Sequence, residues 1–228
     1  MTYSLKDYLI LASSSIALFI VSWFGMFGDE QENITAGWLI LKGLVPYKDF
    51  FFHHAPLPFF IAGLAEFLSP GNGLIVSRMV LYLLHVLSWF LILFLTHKNL
   101  RPSVYAYMLS VGILSPIFHL HMLLADTIIV QSLAITLFVI ISWLLYKSPS
   151  IEVVIKVFLV AAYFSILSSL ASVFMYLVIA VSLAYKQIHD FGALKTVLKV
   201  KKEAGWMLVL TCVFPLYFFV NAALADFY

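Results

Sequence analysis

Charge is scarce in this chain. Of 228 residues only 11% are Asp, Glu, Lys or Arg, against about 25% in a soluble domain. So few ions cannot cover a surface that faces water, and with 64% of the residues apolar or aromatic the exterior must face lipid. That excludes an ordinary soluble globular protein, and the same composition excludes disorder, collagen and coiled coil. Cysteine is nearly absent: Cys212 stands alone in an apolar run, which excludes an internal disulfide framework and a cysteine metal cluster. A basic excess is missing too. Thirteen Lys and Arg against 11 Asp and Glu leave a net charge of +2, too little for a nucleic-acid partner. The first apolar segment lacks a basic start and a small-x-small cleavage site before Gly28, so it reads as a retained anchor and not as a signal peptide.

What is present is a series of apolar runs of about 17 to 25 residues, the length that crosses a hydrocarbon core at about 1.5 Å per residue. Tyr8–Phe27, Leu74–Leu95, Ser103–His119, Thr127–Tyr146 and Trp206–Leu224 are the clear ones. Pro56–Leu68 is short and carries Glu66, whereas Ile151–Tyr185 is too long for one ordinary crossing. The fold class is therefore all-α, a polytopic membrane helix bundle forming one transmembrane domain over residues 1–228.

Lys and Arg in short loops mark the cytoplasmic side. The strongest basic segment is 186–205, with Lys186, Lys195, Lys199, Lys201 and Lys202; Lys98 with Arg101, and Lys147, mark two further loops. All three share one side if Pro56–Leu68 dips in or lies at the interface, and if Ile151–Tyr185 is a hairpin turning near Ser168–Ser172. That parity predicts about seven spans in a multi-pass integral membrane protein, with the N-terminus and Lys6 cytoplasmic and the loops 28–55 and 120–126 outside. The opposite assignment makes Pro56–Leu68 cross and 151–185 cross once, which places Lys98 and Arg101 outside and Asp126 inside.

The acids are unevenly spread. Asp29, Glu30, Glu32 and Asp49 fall in the first outer loop, and Asp126 falls at the next outer turn. His53 and His54 join them in the loop, and His119 and His121 precede Asp126, so the expected outer face concentrates groups able to take a proton, bind a cation or accept a sugar hydroxyl. Between Glu32 and Gly43 an apolar stripe broken by small and polar residues predicts a helix lying along the membrane surface. Pro46, Pro56 and Pro58 then punctuate a folded loop. Glu30 and Glu32 read as solvated. Asp126, with apolar sequence on both sides, needs a partner near the interface, and Arg78 is the candidate, either as its ion pair or snorkelling to the surface. His119 and His121 with Asp126 and His53 or His54 offer nitrogen and oxygen ligands to a divalent cation, but the spacing fits no specific metal motif; His85 and His97 read as structural or cytoplasmic. Asn33-Ile34-Thr35 matches a glycosylation sequon.

Taken together, GDEQENITAGWLILKGLVPYKDFFFHHAPLPFF resembles the first outer loop of the GT-C superfamily of membrane glycosyltransferases, in the branch with protein O-mannosyltransferases and aminoarabinose transferases. The shared elements, in order, are the acidic start Asp29-Glu30, a surface helix from Ala36-Gly37 to Gly43, the turn Pro46-Tyr47 with Asp49, and Pro56-Leu57 opening the next apolar stretch. Arg78 and Asp126 extend the likeness over residues 8–146. Relatives carry a basic residue at an outer hairpin turn where this chain has Ser168-Ser169-Leu170-Ala171-Ser172. Their eleven or more spans make this chain look like an N-terminal half.

The resemblance implies sugar transfer, with inversion, from a polyprenyl-phosphate-linked donor to an acceptor on the outer face of the membrane. By that likeness Asp29 is the general base, Glu30 its fallback, and Asp126 a supporting carboxylate; Asp49, Tyr47, His53, His54 and Arg78 are the substrate-contact candidates. No cofactor is expected, a divalent cation at His119 and His121 being a weak candidate. Membrane lipid, the lipid-linked donor, an acceptor and a second chain supplying the missing half are the expected partners. The alternative is a non-catalytic membrane protein, a lipid-carrier binding or flipping protein or transporter component, or an inactive truncated transferase, whose acids serve structure or ion coupling.

Overall fold

The computed structural model describes residues 3–25, 28–51, 56–169 and 171–190, together with Val220. The described residues form eight α-helices, α1 (Leu5–Val21), α2 (Gly28–Leu41), α3 (Leu57–Leu68), α4 (Gly73–Leu95), α5 (Arg101–Phe118), α6 (Ala125–Tyr146), α7 (Ile151–Ser168) and α8 (Ser172–Asp190), and no named strand. Helices α4, α6 and α7 are long and apolar enough to cross a membrane. The all-helical class expected from the composition is thus observed. Trp206–Leu224, one of the spans expected from sequence, lies outside the described residues apart from Val220.

Local chemistry sets the helix ends. Ser4 and Asp7 form a reciprocal capping box at the head of α1, so that helix starts three residues before the apolar run. It stops at Val21, well short of the expected Phe27, with Ser22 as C-cap and Gly25 at φ +77° turning the chain away. Pro58 stands in the first turn of α3, and Pro102 in that of α5, where a missing N–H costs nothing. Glu66 accepts the N–H groups of Gly71 at 2.7 Å and Gly73 at 3.1 Å, tying the end of α3 to the start of α4 and placing a negative charge at the head of α4. Residues His119 and Lys147, both left-handed, close α5 and α6. The break between α7 and α8 falls at 168–172, where the sequence placed a hairpin turn. Helix α8 continues to Asp190, so the first residues of the expected basic loop 186–205 are helical.

The helices sort their ends into two groups. At one end Asp7 of α1 accepts hydrogen bonds from Arg101 Nη1 at 2.7 Å and from the Tyr105 hydroxyl at 2.6 Å, both on α5. There too the His97 N–H, just past α4, donates at 2.7 Å to Ser142 near the end of α6, and His97 stacks on Tyr146. Lys6, Lys98, Arg101 and Lys147 all belong to this Asp7 end. At the other end, the last residues of α1, the starts of α2, α4 and α6 and the turn after α5 meet around Glu30. Helices α1, α4, α5 and α6 therefore alternate in direction, and the excursion from Ser22 to Arg78 leaves and returns at the same end. Helix α3 belongs to that excursion and, at 12 residues, is shorter than the three membrane-length helices.

Packing follows the alternation. Trp89, Leu18, Met108 and Val104 lock α1, α4 and α5; Val139, Trp143 and Val154 join α6 to α7. Ala62, Leu81, Leu123 and Ile128 fasten α3 against α4 and the start of α6. In a bilayer such contacts act through close packing, because lipid is as apolar as the side chains, and small residues mark the tightest crossings. Helices α2 and α3 cross at Gly37 and Gly63, where a Cβ on Gly37 would stand 2.4 Å from the Gly63 nitrogen. Their union builds a helical hairpin on the side of the bundle, at the Glu30 end.

Candidate functional site

The Glu30 end is organised by a buried ion pair. Arg78, in the second turn of α4, donates from Nε to Glu30 Oε1 at 3.0 Å and from Nη2 to Glu30 Oε2 at 2.5 Å. Its Nη1 reaches the Ser22 carbonyl at 3.1 Å and its Nη2 the Gly25 carbonyl at 2.8 Å. Glu30 Oε1 also accepts the Leu123 N–H at 3.1 Å, and two turn positions are thereby joined: 22–25 after α1 and 121–123 after α5. Both partners are buried, Glu30 at 1% exposure. A pair of charges out of water is tolerated only when geometry is good and further hydrogen bonds satisfy the remaining donors and lone pairs, as they do here.

Three sequence readings are corrected by this arrangement. Glu30 was expected to be solvated, and is enclosed because i, i+3 and i+6 spacing puts Glu30, Asn33 and Ala36 on the buried face of α2. Arg78 was assigned to Asp126 or to the surface, and it is committed to Glu30 instead. Asp126 stands exposed in the first turn of α6, where the helix dipole favours its charge without a partner cation. Asn33, the sequon asparagine, is fully buried, its amide donating to the Leu123 carbonyl at 2.8 Å; so placed it is no glycan acceptor.

The other candidates fall around this pair. Asp29, beside Glu30 in the first turn of α2, and Glu32 are both partly buried. Asp49 accepts the Val45 N–H at 2.7 Å and holds the 45–50 turn together. Tyr47, at φ +67°, packs its ring against Phe51 and Phe59, and that partial burial pushes its phenol up to about 12, so it stays protonated at neutral pH. His53 and His54 lie outside the described residues. His121 is buried with Nε2 2.8 Å from the Phe24 carbonyl and Nδ1 3.2 Å from the Ser115 carbonyl, so neither ring nitrogen faces an open coordination position. Among the described residues no group of three or more His, Cys, Asp or Glu is placed to hold a metal ion.

A groove of about 220 Å³ runs between the end of α1 and the head of α4. Trp23, Leu74, Ile75 and Met79 make its walls, and Arg78 supplies its polar side. Asp29 and Asp126 are not among its lining residues. Arg78 thus joins the groove to Glu30, and Glu30 adjoins Asp29 along α2.

Two buried polar clusters went unread in the sequence. Asp7 with Arg101 and Tyr105 is one. The other is in mid-bundle, where His85 of α4 lies against Gln131 of α6, Nε2 to Nε2 at 3.2 Å, while His85 Nδ1 faces the Leu81 carbonyl at 3.0 Å. The available signal was a histidine and a glutamine each inside an apolar run, since polar groups inside a span face other helices.

The fold and these clusters describe an all-helical protein with three helices long and apolar enough to cross a membrane and a polar end built on Glu30 and Arg78. No protein-family profile, curated protein or solved structure matches the chain.

Proposed function

We propose that the chain is a membrane glycosyltransferase, or the half of one that carries its acidic loop, moving a sugar from a polyprenyl-phosphate donor to an acceptor hydroxyl at the Glu30 end. The observation that supports it is the division of labour between neighbouring acids. Glu30 has both oxygens engaged, by Arg78 and the Leu123 N–H, and is enclosed, while Asp29 beside it is only partly buried. A general base must be reachable by the acceptor, and of the two acids Asp29 is the more exposed.

In this reading Asp29 takes the acceptor proton as the hydroxyl oxygen attacks the anomeric carbon. The carbon–oxygen bond to phosphate breaks on the opposite face, the polyprenyl phosphate leaves with the electron pair, and the sugar inverts. Asp126, exposed at the head of α6, orients acceptor or donor. Arg78 holds Glu30 and borders the groove, and since its charge is balanced there, the donor phosphate needs a further cation from another part of the site. The outer face of the membrane is the Glu30 end, because Lys6, Lys98, Arg101 and Lys147 gather at the opposite, cytoplasmic one.

The test supplies polyprenyl-phosphate sugars and candidate acceptors to the protein in liposomes. Transfer by the wild type that Asp29→Asn lowers by about 10²–10⁴-fold, the usual contribution of a general base, with unfolding unchanged, is the expected result. Transfer undiminished in Asp29→Asn rejects the mechanism. Absence of transfer by the wild type across the donor series rejects a transferase complete in this chain, and leaves the half-enzyme and the non-catalytic reading, in which the Glu30 end binds or orients lipid carriers.

A further inference from the structure

Helices α1 and α5 run side by side in the same direction, tied at one end by Asp7 with Arg101 and Tyr105 and touching in the middle, where a Cβ on Gly112 would stand 2.9 Å from the Ser14 carbonyl oxygen. Both therefore end at the Glu30 end, where carbonyls without helical N–H partners collect and two helix dipoles present their negative ends. His121 is buried between them, with Nε2 2.8 Å from the Phe24 carbonyl just past α1 and Nδ1 3.2 Å from the Ser115 carbonyl in the last turn of α5. A neutral imidazole has one N–H, so either tautomer turns a nitrogen lone pair on a carbonyl oxygen at hydrogen-bond distance. The imidazolium donates to both.

We propose that His121 sits in this fold as an imidazolium, a proton-dependent clasp that joins the ends of α1 and α5 and fixes the 22–25 turn. A cation is favoured at one helix C-terminus, and here two converge on one ring. From α4, Arg78 takes the Ser22 and Gly25 carbonyls of the same turn, its charge met by Glu30 of α2, and His85 interacts electrostatically with His121 from two turns further along the helix. Asp29 and Glu32 of α2 are partly buried, as is His119 in the same turn as His121, and Asp126 is exposed at the head of α6. The last turns of α1 and α5 carry no ionisable side chain. Ser22, Trp23 and Gly25 of the clasped turn line the groove, and a Cβ on Gly25 would stand 3.9 Å from His121 Nε2. When the proton leaves, the ring keeps one carbonyl and repels the other, so the turn loosens, and the groove and Arg78 lose a fixed wall and fixed acceptors. The clasp is fully present below about 6.5, where histidine of an unfolded chain is also charged, and is lost as pH rises and the folded ring gives up its proton.

The experiment uses the full chain in phosphatidylcholine liposomes. In one sample the histidine ring nitrogens are isotope-labelled, and solid-state NMR counts the N–H groups on His121 as pH is raised. Its signals are assigned by their loss in His121→Gln or, should that variant not fold, by elimination with the other histidines replaced singly. A second sample, Cys212→Ser with Phe24→Cys, carries a nitroxide on the clasped turn. Two N–H groups on the ring at about pH 7.5, where a free histidine side chain is mostly neutral, are expected, together with a nitroxide that gains mobility over the pH interval in which the second N–H is lost. One N–H at that pH overturns the proposal in favour of a neutral histidine with a packing role alone. A nitroxide indifferent to loss of the second N–H overturns the clasp. Neither outcome depends on sugar transfer.

Discussion

Removing the Glu30 carboxylate strips partners from three buried donors: Arg78 Nε, one N–H of Arg78 Nη2, and the Leu123 N–H. Each orphaned buried donor costs about 1–3 kcal/mol, and breaking a buried ion pair as a whole costs about 3–5 kcal/mol. The lower part of the summed range applies, because Arg78 keeps the Ser22 and Gly25 carbonyls and borders the groove. We therefore expect Glu30→Ala to destabilise by about 3–5 kcal/mol, a large share of the total for a domain whose unfolding free energy is about 5–15 kcal/mol. Glu30→Gln, which keeps an acceptor and loses the charge, should cost less. Arg78→Ala leaves a buried carboxylate and two carbonyls without their guanidinium, and should cost at least as much as Glu30→Ala. The assay is reversible unfolding in mixed detergent followed by tryptophan fluorescence, closed into a cycle with Glu30→Ala/Arg78→Ala. Partners in contact couple by about 0.5–3 kcal/mol, and this pair belongs at the upper end. Additivity of the two single changes, or a Glu30→Ala cost below about 1 kcal/mol, within reach of an ordinary surface change, refutes the claim that this pair organises its end of the bundle.

Gly37→Ala puts a methyl group 2.4 Å from the Gly63 nitrogen and 2.6 Å from the Ala62 carbonyl carbon, so α2 and α3 must part; a loss of about 1–3 kcal/mol, typical of overpacking, and faster proteolysis within residues 28–68 are expected, and unchanged digestion counts against the crossing. Asp7, just ahead of the first apolar run, is pushed up by burial, but the Tyr105 hydroxyl, the Ser4 backbone and side chain and the Arg101 charge outweigh this and hold its carboxyl below the usual range. Its contribution is fully present above the ordinary carboxylate value of about 3.9 and is lost as pH falls through the lower folded value. Acid titration of the unfolding temperature should show a decline that Asp7→Asn reduces, and identical wild-type and variant profiles reject the linkage. Gln131→Leu removes the amide beside His85 and should cost about 0.6–1.7 kcal/mol, the span of interhelical hydrogen bonds in membranes; stabilisation instead would show that the α4–α6 contact is apolar packing alone.

Much of the architecture was legible along the chain, because a membrane helix is fixed by one local quantity, the length of an uninterrupted apolar run. Leu74–Leu95 and Thr127–Tyr146 appear as α4 and α6 within two residues, and the break between α7 and α8 falls inside the run too long for one span. Ends set by side-chain chemistry were less visible. The capping box at Ser4 and Asp7 moves α1 forward, and the run beyond Val21 looks continuous while the chain has already turned at Gly25.

The polar site was legible only as a set of residue types. Composition brought Asp29, Glu30, Asp49, Arg78 and Asp126 to attention, since each charge in so apolar a chain is conspicuous. Their partners depend on which helices touch, and that lies outside any local pattern: Glu30 and Arg78 are 48 positions apart, Asn33 and Leu123 are 90. The amino-acid sequence by itself determined that this protein is helical, lipid-facing and polar at its loops. Only the tertiary structure decided that Glu30 is a buried counter-ion while Asp29 beside it is only partly buried, because burial of a side chain is decided by the neighbouring helices and not by its place along the chain.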